Sequence, residues 1–106
     1  MSKRYETVFI LSPVLSEDQA KEAAAKFRKI LTGLGCEITH EENWGLRAGQ
    51  PARPVSEELL ELTKKTTGYY RLLEYTTANP NAVPDLEIAF KRDERVLRFM
   101  TVRLGK

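Results

Sequence analysis

One cysteine, Cys36, and one histidine, His40, are all that the 106 residues contain of either type. Cys36 therefore has no partner for an internal disulfide, and one chain cannot assemble a Cys/His zinc site. No such staple is needed, because 42% of the residues are apolar and suffice for the core of one domain spanning residues 1–106. Long apolar runs are missing too. Val8-Phe9-Ile10-Leu11 is stopped by Ser12-Pro13 and is too short for a secretory signal core or a membrane-spanning helix. The chain is thus expected to stay in the cytoplasm with no membrane partner. There is no glycine-rich phosphate loop, no carboxylate pair in an apolar setting, and no Ser/His/Asp set with a histidine to spare. Arg4, Arg47 and Asn43 stand in no loop that would cradle an anion. Neither an enzyme, nor a cofactor, nor a small-molecule substrate is expected.

What is present is strong periodicity. Arg4 to Leu11 reads as a strand with Tyr5, Thr7, Phe9 and Leu11 on one side and Glu6, Val8 and Ile10 on the other, the pattern of a central strand covered on both faces. Ser16-Glu17-Asp18-Gln19 is a capping box, and Ala20, Ala24, Phe27, Leu31 and Leu34 follow at helical spacing before Gly35. Cys36 to Trp44 alternates as a half-exposed strand, with Cys36, Ile38 and His40 on one side, and makes Cys36 a small buried residue rather than a nucleophile. Residues 45–55, with two glycines and two prolines, should be irregular. Ser56 then caps a short helix from Glu57 to about Lys65, which is expected to dock Leu59, Leu60 and Leu62 on the protein, since so short a helix is marginal alone. Tyr69 to Thr77 is a strand, Pro84 sits in the first turn of a further helix, and Val96 to Leu104 is the last strand. Leaving the short helix aside, the order strand, helix, strand, strand, helix, strand specifies an α+β, ferredoxin-like split βαβ fold: a four-stranded antiparallel sheet with two helices on one face.

Charge is unevenly placed although the net value is only +2. Residues 91–106 carry six cations, Lys91, Arg92, Arg95, Arg98, Arg103 and Lys106, against Asp93 and Glu94, while the rest of the chain is net acidic. A polyanion would feel that end first. Tyr69 and Tyr70 with Lys64, Lys65 and Arg71 faintly resemble an RNA-recognition strand, without the full motif.

The stretches Arg4-Tyr5-Glu6-Thr7-Val8-Phe9-Ile10-Leu11-Ser12-Pro13, Asn43-Trp44-Gly45-Leu46-Arg47, Lys64-Lys65-Thr66-Thr67-Gly68-Tyr69-Tyr70 and Arg92-Asp93-Glu94-Arg95-Val96-Leu97-Arg98-Phe99 together resemble the small-subunit ribosomal protein six family. The resemblance implies the same split βαβ fold, no cofactor, and a place on small-subunit ribosomal RNA beside ribosomal protein eighteen. It also implies RNA contacts by Lys3, Arg4 and Tyr5 and by Lys91, Arg92, Arg95 and Arg98. Trp44 and Arg47 are the residues it assigns to a protein partner, with Trp44 packed or partner-facing rather than stacked on a base.

One segment departs from the family pattern. The Leu-Ala-Tyr-Pro-Ile run that usually follows Leu46-Arg47 is replaced by the longer Ala48 to Thr63, with the acidic Glu57, Glu58 and Glu61. A divergent natural member and an engineered variant with a redesigned helical loop, acting as a scaffold or interaction module with little RNA affinity, are the two explanations. The glutamates would repel phosphates, so this face is not expected to meet RNA.

Overall fold

The computed structural model describes residues 1–105. Four strands, β1 (Lys3–Leu11), β2 (Glu37–Ala48), β3 (Thr67–Thr77) and β4 (Val96–Leu104), and three helices, α1 (Glu17–Gly33), α2 (Glu57–Thr63) and α3 (Ala82–Lys91), follow in the order β1-α1-β2-α2-β3-α3-β4. All pairings are antiparallel, and the sheet order is β2-β3-β1-β4. This is the ferredoxin-like arrangement expected from the periodicity.

The alternation in β1 explains the layers. Phe9 and Leu11 point to the face covered by α1 and α3, where Ala20, Ala24, Phe27, Leu31, Leu86 and Phe90 meet them. Val8 and Ile10 point the other way and join Trp44, Leu59, Tyr70 and Leu72 in a second cluster. α1 starts where the capping box placed it: the Gln19 amide donates to Ser16 Oγ at 3.1 Å, and the Ser16 amide donates to Gln19 Oε1 at 2.9 Å. Gly68 is a position where close approach demands glycine, because a Cβ there would overlap the Leu11 carbonyl oxygen.

Several expectations change. The second strand does not end at Trp44 but runs to Ala48 through residues expected to be irregular, since pairing Leu46 with Tyr69 and Ala48 with Thr67 satisfies the backbone whatever the side-chain propensities. Its alternation is also broken twice, between Ile38 and His40 and between Asn43 and Gly45. At the second of these bulges Gly45 takes a φ of 74°, the left-handed region that suits glycine. The first bulge sends Ile38 to the α1 side and His40 to the opposite face, where the pattern alone put them together.

α2 is two residues shorter than expected, ending at Thr63, and the chain turns away through Lys65 at a φ of 62°. Leu59 is fully buried and Leu62 half-buried, but Leu60 is 40% exposed and does not dock. Geometry forces this result, because successive helical residues lie about 100° apart, and a single turn against a flat sheet cannot press three of four consecutive positions inward. Leu59→Ala should therefore cost about 2–5 kcal/mol of unfolding free energy. Leu60→Ala should cost under about 1 kcal/mol, and urea denaturation of the two variants checks the docking of α2.

Candidate nucleic-acid interface

The basic residues expected to act together are split between the two ends of the sheet. Lys3 and Arg4 open β1, while Arg98 pairs with Ile10 near its far end, so the groups lie roughly 20 Å apart along the strand. At the first end Lys3 and Arg4 are exposed, and Arg103, opposite Tyr5, joins them from β4. Arg4 approaches Glu74 only at 4.0 Å. Tyr5 is different in kind: its half-buried ring packs on the core, 5.9 Å from the ring of Tyr75.

At the second end the last residue of α3, the loop after it and the start of β4 place Lys91, Arg92 and Arg98, respectively, in solvent. Arg95 is held back. Its guanidinium grips buried Asp93 with two parallel hydrogen bonds, Nε to Oδ1 at 2.9 Å and Nη2 to Oδ2 at 2.7 Å. The Arg95 amide and Lys26 Nζ donate to the same carboxylate. These donors, Arg95 foremost, hold the Asp93 carboxyl well below the usual carboxylate range. Arg95 therefore organises the turn into β4, and Lys26 of α1 is drawn to this end by Asp93. A two-residue spacing from an acid to an arginine is the signal that could have revealed the fork.

Trp44 is packed. Its ring is 9% exposed, lies 6.3 Å from that of Tyr70, and donates through Nε1 to Glu42 Oε1 at 2.7 Å, leaving little surface for the partner expected to meet it. Arg47 is half-exposed and donates from Nε to the Trp44 carbonyl. Tyr70 is buried and donates to the Thr63 and Thr66 carbonyls, while Tyr69 donates to the Leu15 carbonyl. Neither tyrosine offers a stacking platform for bases.

The face beneath α2 carries a charge network that sequence reasoning missed. Arg53, from the loop before α2, donates to both Glu42 carboxylate oxygens at 2.9 Å and lies 3.8 Å from Glu6 and 3.9 Å from Glu74. His40 Nε2 sits 2.7 Å from Glu42. The Arg53 hydrogen bond outweighs partial burial and holds Glu42 at about 2, whereas burial pushes Glu6 upward. With Glu57 and Glu58 exposed on α2 as well, a polyanion is repelled from this face. Among the described residues no group of three His, Cys, Asp or Glu side chains is arranged to hold a metal ion, and no helix is long and apolar enough to cross a membrane.

The network has a defined pH signature. Glu42, whose carboxyl is depressed in the folded state, stabilises the fold at pH values above its unfolded value and loses that contribution as pH falls toward about 2; Glu6, raised, acts in the opposite sense. Arg53→Met should raise the titration midpoint of Glu42, followed by carboxyl NMR, and should destabilise the protein more at pH 7 than at pH 4. Trp44→Ala should cost about 3 kcal/mol, measured by urea unfolding, as expected for a buried ring.

Comparison with known proteins agrees with this architecture. The family model for Ribosomal protein S6 matches residues 4–103. The small ribosomal subunit protein bS6 of Phocaeicola vulgatus is 52% identical over 103 residues, covering 97% of this chain and 82% of that protein. The bS6 protein of Flavobacterium johnsoniae is 44% identical over 102 residues, covering 96% and 81%. The crystal structure of 30S ribosomal protein S6 from Thermotoga maritima superposes with a TM-score of 0.77 at 20% identity, over 97% of this chain and 88% of that one, a likeness of fold. A chemotaxis kinase CheA P2 domain, from a complex with its response regulator CheY, shares the fold at a TM-score of 0.59 and 16% identity, covering 98% of this chain and all of that one, which illustrates that fold alone does not carry function. None of these matches supports the expectation of an engineered chain. The sequence relatives are ribosomal proteins and not enzymes. The chain belongs to the ribosomal protein S6 family, a structural component of the small subunit of the cytoplasmic ribosome.

Proposed function

We propose that the chain binds small-subunit ribosomal RNA beside ribosomal protein eighteen, through phosphate contacts made mainly at the α3–β4 end. The observation that carries this reading is the imbalance of free charge there. Lys91, Arg92 and Arg98 are exposed against a single exposed carboxylate in the loop, Glu94, whereas Asp93 is buried and already shared by Arg95 and Lys26. A phosphate approaching this end meets cations whose charge is not spent inside the protein. Lys3 and Arg4, with Arg103, form a second contact at the other end of the sheet, reached by a separate stretch of RNA, and Tyr5 supports them from the core. Arg47, at the end of β2, is the residue assigned to the protein partner. Ala48 to Thr63 covers the acidic face and turns it away from RNA.

The triple variant Lys91→Ala, Arg92→Ala, Arg98→Ala should keep its fold and lose affinity for the ribosomal RNA fragment. In filter binding, the slope of log affinity against log salt should become shallower by about 2–3. Arg95→Ala should instead lower stability first. Unchanged RNA affinity in the triple variant would remove the site assignment, and no saturable RNA binding, with or without protein eighteen, would favour a protein-interaction module.

A further inference from the structure

The turn between α3 and β4 is tied down by hydrogen bonds at nearly every residue. Arg92 closes α3, its amide donating to the Ile88 carbonyl at 3.1 Å, and the Asp93 amide donates to the Phe90 carbonyl at 3.1 Å. The Val96 amide donates to the Asp93 carbonyl at 3.0 Å, and the Arg95 carbonyl accepts from the Ser12 amide at 2.8 Å. Strand pairing alone does not set this turn. Arg98 lies opposite Ile10 and Val96 opposite Leu11, so β4 carries Leu97 as an extra residue where the chain enters the sheet. Across that irregularity the backbone is held by the Asp93 carboxylate, which receives the Arg95 fork, the Arg95 amide and Lys26 Nζ from α1.

On charge alone this carboxylate is out of place. It stands just beyond the C-terminus of α3, where the helix dipole is already negative, and beside cations that a phosphate would otherwise meet. The Asp93 side chain is only 5% exposed, whereas those of Arg95 and Lys26 are 33% and 50% exposed, so water or a ligand reaches both cations once they are released. A site built only for affinity would omit Asp93.

Building on the RNA contact proposed for this end, we infer that Asp93 is its specificity-determining residue, acting by position and not by touching RNA. It withdraws Arg95 and Lys26 from phosphate binding and holds Arg92 and Arg98 at one separation, so that the site answers to the spacing of phosphates and not only to their number. Arg92 is fixed by the end of α3 and Arg98 by pairing with β1, and the turn between them is the one variable joint. Loosening that joint lets each cation follow any phosphate. A flexible RNA then gains as much as a folded one, and discrimination is lost even where binding is not.

The experiment compares two RNAs by filter binding to the full chain, with and without protein eighteen: the ribosomal RNA fragment and a polyuridine of equal length. Arg95→Lys conserves charge but cannot form the fork, so affinity for the fragment should fall at least about tenfold while affinity for polyuridine changes by less than about twofold. Asp93→Asn removes the charge that holds Arg95 and Lys26. Polyuridine should then bind more tightly, with a salt slope steeper by about 1, while the preference for the fragment again drops at least about tenfold. Because both released cations reach water, the variants are expected to fold, which amide NMR spectra check; Asp93→Asn keeps the test decisive if Arg95→Lys does not fold. Unchanged preference in the folded variants, or equal losses toward both RNAs, would overturn the role of Asp93 alone. No saturable binding of the fragment by the unaltered chain would instead remove the RNA contact itself, and this role with it.

Discussion

Burial of β1 on both faces is the constraint on which the rest of this molecule depends. Val8, Phe9, Ile10 and Leu11 are all fully buried, although adjacent residues of a strand point in opposite directions. Each face must therefore be closed by something else. α1 and α3 close one, and the segment from Ala48 to Thr63, through Leu59 and with Trp44 beside it, closes the other. A two-sided sheet of this kind has no open aromatic surface to offer bases, and charge-bearing contacts are pushed to the ends of the strands and to the sheet edge.

Electrostatics follows the same division. On the α2 side the carboxylates of Glu6, Glu42 and Glu74 converge on Arg53, so that the loop is pinned to the sheet by charge as well as by Leu59. Arg53 remains partly exposed, and its contribution is correspondingly screened by solvent. At the α3–β4 turn the reverse holds, with buried Asp93 drawing in Arg95 and Lys26 while Lys91, Arg92 and Arg98 stay free in solvent. The same residue type thus does different work within seven positions: Arg95 builds the turn, and Arg92 and Arg98 face outward.

Much of this was legible in the residues. The capping box at Ser16, the apolar stripe of α1 and the alternation of β1 and β3 led to the correct topology, because each rests on short-range geometry and a periodicity that only one element type satisfies. The motifs around Trp44-Gly45-Leu46-Arg47 and Lys64 to Tyr70 led to the family. Legibility failed where a long-range partner overrode the local pattern. Ile38 and His40 occupy opposite faces because β3 imposes a bulge on β2, and Arg95 looked like a free cation until Asp93 was seen buried beside it.

The sequence by itself determined the element order, the two buried faces of the sheet, the cap of α1 and the concentration of cations after residue 90, since all of these are set by neighbours within a few positions along the chain. Only the tertiary structure decided which cations remain free, which face Trp44 and α2 cover, and that Arg53 from a glycine- and proline-rich loop meets three glutamates from three strands. The physical reason is that charge pairing and burial act through space. Glu6, Glu42 and Glu74 are distant in the chain, and strand register, bulges included, is what brings their carboxylates to one guanidinium.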